Sequence, residues 1–255
     1  MKNFFLKIRL LWLVYITGYF KKEHPIPFDP KVFHHDFEGY GEVDWDFWSP
    51  NEAWGNWKDG NNPYIKWVID NVESGKKGLE LTTQVMPINE LGIDISSGQI
   101  CSYKGYYEAY GRIKCCMKPP AKGIQYWWSF WMIGNECTWE IDMCEFMSED
   151  SKSFSVTLHK FIDGVKSIEF TKTFYFGVDL SNDFHYYELD WQPSHISWYL
   201  DGIELCRYTG KYIPNVPMGI IINNAVMPGF HAKDVSLSKL NELFPASGYI
   251  KYVEV

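Results

Sequence analysis

Residues 138–146 read Thr-Trp-Glu-Ile-Asp-Met-Cys-Glu-Phe, TWEIDMCEF, with three carboxylates inside an otherwise apolar run. Side chains of a regular strand alternate between faces, which sends Glu140, Asp142 and Cys144 one way and Trp139, Ile141, Met143 and Glu145 the other. The last glutamate then falls on the wrong face. A β-bulge at Met143-Cys144 adds one residue to the strand and returns Glu145 to the side of Glu140 and Asp142. Acids at alternating positions are also what the wet face of an antiparallel sheet carries, so the spacing alone leaves a solvated face and a reactive trio both open.

The chemistry available to a trio is specific. Counting ~3.3 Å per residue and subtracting for the bulge, the Cα atoms of Glu140 and Glu145 are roughly 13 to 16 Å apart. Side chains leaning inward on a concave sheet can bring the carboxyl groups to the ~5 to 5.5 Å that retaining glycoside hydrolysis uses. That reaction needs one ionised carboxylate as nucleophile and one protonated carboxyl as general acid, later the base for water. An aspartate between them can hold the nucleophile by a hydrogen bond, while repulsion among three acids raises the proton affinity of at least one. Tyr126-Trp127-Trp128-Ser129-Phe130-Trp131, one strand earlier, sets large aromatic faces beside the acids, where a sugar ring could stack.

Composition narrows the partner. The net charge of -8 and the lack of a basic run longer than Lys76-Lys77 argue against nucleic acid and against anionic lipid surfaces. The aromatic fraction of 18%, with 12 Trp and 17 Tyr, exceeds what core filling asks for and suits a neutral ligand with flat apolar faces, such as a polysaccharide. Cys101, Cys115, Cys116, Cys137, Cys144 and Cys206 show no metal-ligand spacing and no disulfide framework, so most of them read as small buried hydrophobes. Neither a metal nor a cofactor is expected. Met1 to Arg9 is basic and Leu10 to Phe20 apolar, the layout of an export leader over residues 1–24 and too short to span a bilayer. An N-terminal strand or helix is the alternative. An extracellular, cell-surface or periplasmic monomer without membrane insertion is the resulting expectation.

Residues 25–255 read as one all-β domain, a sandwich of two packed, curved antiparallel sheets, because turn residues recur between runs rich in Tyr, Trp, Ile, Val and Phe. The strands expected are 106–117, 126–133, 139–146, 153–161, 185–191, 195–200, 203–208, 218–225 and 249–255. Asp201-Gly202 has the chemistry of a two-residue hairpin turn. A short helix is expected at 237–243. The loop Pro50 to Pro63 carries Trp54 and Trp57, as apt for a ligand as for packing.

In this setting the chain resembles glycoside hydrolase family 16, the β-jelly-roll endo-glycanases that include laminarinases, lichenases, agarases and carrageenases. Glu140-Ile141-Asp142-Met143-Cys144-Glu145 is similar to the family's E-x-D-x-x-E in the bulged form of laminarinases, agarases and carrageenases. His35-Asp36-Phe37-Glu38-Gly39, Tyr110-Gly111-Arg112, Trp127 to Gly134, Phe184 to Pro193, Ile196 to Gly202 and Ile222 to Val226 follow in the family's order. The resemblance implies a concave substrate cleft, with Glu140 as nucleophile, Asp142 as its supporting acid and Glu145 as general acid and base. It also implies substrate contacts from Trp127, Trp131, Asn223, His159 and Arg112, although His159 reads equally well as a structural histidine.

The sequence departs from the family at three places. Lys114 and Cys116 stand where the family has a Glu and an Arg that reach toward the cleft, which implies different subsite contacts. Met227-Pro228 replaces a Gly-Gly bordering the cleft, and Lys251 replaces an aspartate that can bind structural calcium. The leading expectation is an endo-acting retaining hydrolase of a β-glycan, most of all a laminarin-like β-1,3-glucan. The alternatives are a red-algal galactan hydrolase (agar, porphyran or carrageenan), a transglycosylase, or an inactive carbohydrate-binding jelly roll.

Overall fold

The computed structural model describes residues 33–51, 62–87, 89–121, 126–134, 138–147 and 151–255, with Lys7, Ile8 and Leu11 besides. The leader expected over residues 1–24, Cys137 and the two tryptophans of the 50–63 loop lie outside the described residues.

The described chain folds into two sheets, of ten and six strands, in the all-β sandwich that the sequence predicts. Within the six-stranded sheet the strands lie side by side in the order Val165–Tyr175, Ser153–Ile162, Trp139–Phe146, Tyr126–Ile133, Gly219–Val226 and Gln99–Cys101, every pair antiparallel. The ten-stranded sheet is antiparallel too, apart from a short parallel pair between Ile65–Trp67 and Ile95–Ser97. One helix, Leu237–Leu243, occupies the expected place, its first turn capped by the Ser236 hydroxyl accepting from the Lys239 N–H.

The alternation of the strands explains how the sheets pack. Trp128, Phe130 and Met132 from the aromatic strand and Ile141, Cys144 and Phe146 from the acid strand point inward. They meet Ile113, Cys115, Met117, Leu189, Trp191 and Trp198 from the larger sheet in one core. Fully burying such side chains contributes ~1.5–3 kcal/mol each, so the face that carries the acids is turned away from the core. The described cysteines are buried, as expected of small hydrophobes. Asp201 and Gly202 take φ of 51° and 75°, the left-handed pair that a tight hairpin between Leu200 and Ile203 needs.

Two expectations need correction. The strand expected from Tyr106 begins only at Gly111, because Tyr110 (φ 67°) and Gly111 (φ 135°) break the extended backbone. Strands at Gly78–Val85 and Val165–Tyr175 were not expected at all. The second exposes most of both faces, so it carries little apolar alternation to read.

Candidate active site

The bulge predicted in TWEIDMCEF is present. Phe130 pairs with Cys144 and the next residue, Trp131, with Asp142, which leaves Met143 without a partner. On the other side Ser155 pairs with Glu145 and Thr157 with Asp142. Met143 and Cys144 both enter the core, and Glu140, Asp142 and Glu145 are left on the opposite face. A bulge frees backbone groups from the ladder, and here the Trp198 indole N–H crosses from the other sheet to donate to the Asp142 carbonyl at 2.9 Å.

The trio is recessed and interconnected. Glu140 and Asp142 are buried, and the Asp142 carboxyl shares side-chain hydrogen bonds with both glutamates. Burial and the Glu140 charge hold its proton affinity well above the ordinary carboxylate range. Burial, then the charges of Asp142 and Glu140, also push Glu145 well up, against the hydrogen bond from Trp127 and the ammonium of Lys166.

Most of the expected binding residues are brought to this face. Trp127 donates its indole N–H to Glu145 Oε1 at 3.0 Å, and Trp131 donates to Asn223 Oδ1 at 2.7 Å. His159 lies directly across from Glu140 in the register, its Nε2 at 3.2 Å from Asp142 Oδ2 and 3.8 Å from Glu140 Oε1. Burial lowers its pKa despite the Glu140 charge, so the ring is neutral near pH 7.

Arg112 is not brought there. It lies in the larger sheet, where Ile113, Cys115 and Met117 take the core side, so Arg112, Lys114 and Cys116 point to the opposite face of that sheet. Arg112 there bonds to Glu188 at 3.1 Å. Lys114 pairs with Glu254, so the departures at Lys114 and Cys116 do not touch the acid face either. Lys251 pairs with Glu38 at 2.5 Å.

Two residues on the acid face escaped the sequence reading. Gln99 pairs across to Asn223, Asn223 to Ser129, and Ser129 to Glu145, so these four share one row and one face. The Gln99 side chain is buried with neither amide atom hydrogen-bonded, a costly arrangement that a ligand hydroxyl would relieve. Lys166 is the other, with its ammonium 2.6 Å from Glu140 Oε1. An Asp163-Gly164 turn (φ 51° and 76°), with the same chemistry as Asp201-Gly202, was the signal that could have revealed its strand. Glu140, Asp142 and His159 also offer three ligand atoms within 4.8 Å of one another. Lys166 already supplies positive charge at Glu140.

The profile of the glycosyl hydrolases family 16 matches residues 59–236, which include the whole trio. The chain belongs to this family. It is therefore a glycosidase with a jelly-roll fold. A β-glucanase of Paenibacillus polymyxa is 30% identical over 221 residues, covering 81% of this chain and 87% of that protein. Two solved structures share the fold. The catalytic domain of an endo-1,3-β-glucanase (laminarinase) from Thermotoga petrophila has a TM-score of 0.71 at 22% identity and covers 89% of this chain and 97% of its own. A Bacillus licheniformis β-glucanase has a TM-score of 0.68 at 24% identity, with 87% and 95% covered. Among the described residues no helix is long and apolar enough to cross a membrane.

Proposed function

We propose that this family member is an endo-acting, retaining β-glucanase whose Glu140 is the nucleophile, Glu145 the general acid and base, and Asp142 the group that holds Glu140. The observation that carries the proposal is the bulge at Met143, which puts all three carboxyls on one recessed face with Asp142 bonded to both glutamates. In the first step Glu145 gives its proton to the glycosidic oxygen as a Glu140 oxygen attacks the anomeric carbon. In the second, Glu145 takes a proton from water, which displaces Glu140 with retention of configuration. Trp127 orients Glu145 through its indole N–H, and Asn223, Trp131 and His159 surround the sugar.

A β-1,3-glucan is the substrate favoured, in keeping with the laminarinase neighbour and the β-glucanase relative. A polymer of that size is met outside the membrane. The reading therefore includes export directed by residues 1–24 and a single catalytic domain over 25–255, acting as a monomer. The test is reducing-end release across laminarin, mixed-linkage glucan, agarose and carrageenan, with Glu140→Ala as the blank. Release from laminarin that the variant lacks is expected. Release from the galactans alone would overturn the glucan assignment, and activity retained by Glu140→Ala would overturn the site.

A further inference from the structure

Lys166 opens the Val165–Tyr175 strand just after the Asp163-Gly164 turn, and its register partner is Phe161. Phe161 lies two residues from His159 on the same strand and, like Trp131, packs against Cys101, Ile133 and Ile221, which sets Lys166 on the acid face. Its ammonium makes a charge-assisted hydrogen bond of 2.6 Å to Glu140 Oε1 while 44% of its side chain remains exposed.

The charge on Glu140 changes twice in a double displacement, and this chain has placed a cation against it. When the Glu140 oxygen bonds to the anomeric carbon and the leaving-group bond breaks, the carboxylate becomes a neutral ester and the attraction to Lys166 is lost. When water attacks that carbon and Glu145 takes its proton, the ester bond breaks. The electron pair then returns to Glu140, and the charge reappears beside the ammonium. An interaction stronger with the carboxylate than with the ester stabilises the state before the first barrier and the leaving group of the second. We propose that Lys166 is an electrostatic partner of Glu140 that restrains formation of the glycosyl-enzyme and accelerates its hydrolysis. This rests on the reading of Glu140 as nucleophile.

The two half-reactions separate with a deoxyfluoro-β-laminaribioside, or its cellobioside isomer, bearing a dinitrophenolate leaving group. Such a probe labels the nucleophile and is then released slowly. Lys166→Met is expected to take the label at least as fast as the wild type and to release it about tenfold more slowly, equivalent to ~1.4 kcal/mol. Lys166→Arg, which keeps the charge, restores release to within a small factor of the wild type. Equal slowing of labelling and release, or release unchanged in Lys166→Met, overturns the role of Lys166. The site of labelling keeps this apart from the underlying assignment. Label on Glu140 upholds the nucleophile whatever Lys166 does, whereas label elsewhere, or none from either probe, overturns the nucleophile itself. Lys166 sits at an exposed hairpin, so both variants are expected to melt in one cooperative transition well above the assay temperature, which excludes misfolding as the cause of a slow release.

Discussion

Trp198→Phe tests whether the larger sheet holds the bulge in place. Trp198 is 1% exposed, stacks on Phe170 with ring centroids 5.5 Å apart, and gives its indole N–H to the Asp142 carbonyl at 2.9 Å. Phenylalanine preserves one ring but leaves that carbonyl buried and unpaired, a cost of ~1–3 kcal/mol. The smaller ring also opens a void where the rest of the indole stood, worth about 1–2 kcal/mol. Together these lower stability by roughly 2–5 kcal/mol, at ~2–4 °C of melting temperature per kcal/mol in a chain of this size. Trp191→Phe is the matched control. Trp191 is fully buried in the same sheet and donates its own N–H to the Pro214 carbonyl at 3.1 Å instead of to the acid strand. Chemical denaturation should show similar losses for the two variants. Only Trp198→Phe should lower kcat as well, by about 10- to 100-fold, because the freed carbonyl lets Asp142 and Glu145 shift from productive geometry. If the two variants lose kcat equally at equal stability, the cross-sheet bond does not position the acids.

Three further outcomes follow from the site. Trp127→Phe removes a hydrogen bond that stabilises ionised Glu145, so the Glu145 pKa rises and the basic limb of the kcat/KM–pH profile moves to higher pH; a limb that moves to lower pH contradicts the assignment of Glu145 as acid. Glu145 binds its proton more tightly folded than unfolded, so the stability it contributes is full below its ordinary pKa of ~4.3 and is lost as pH rises through its raised folded value. Glu145→Gln should therefore melt higher than the wild type above about pH 5 and converge with it in acid, as scanning calorimetry would show. Gln99→Leu replaces an unpaired buried amide with an apolar group of similar size, so stability should hold or rise while KM on the glucan increases several-fold; an unchanged KM would remove Gln99 from the substrate path.

The acid motif was legible because its chemistry breaks a simple period. Alternation puts Glu145 on the wrong face, only a bulge repairs it, and the register shows the bulge at Met143. Strands such as Tyr126–Ile133 and Trp139–Phe146 stood out because one of their faces packs into the core. The Val165–Tyr175 strand lies at the edge of its sheet with both faces largely exposed, so no apolar period betrays it, and Lys166 was missed with it. Arg112 was misplaced for a different reason. Which sheet a strand joins is a long-range property, and the pairing of Gly111–Lys118 with His185–Gln192 and Ala246–Glu254 puts Arg112 on the face of the larger sheet opposite the core. Gln99 gave no signal because its strand has three residues and its importance lies in a row of neighbours from other strands.

The most direct test of the central claim is the configuration of the product formed when azide rescues each acid variant. With a β-glucosyl donor bearing a good leaving group, Glu140→Ala should give the α-glycosyl azide, because azide enters the face the nucleophile has vacated. Glu145→Ala should give the β-glycosyl azide, because the covalent intermediate on Glu140 still forms and azide then displaces it. Nuclear magnetic resonance of the anomeric proton distinguishes the two. The reverse pairing, or the same anomer from both variants, would contradict the assignment of Glu140 and Glu145.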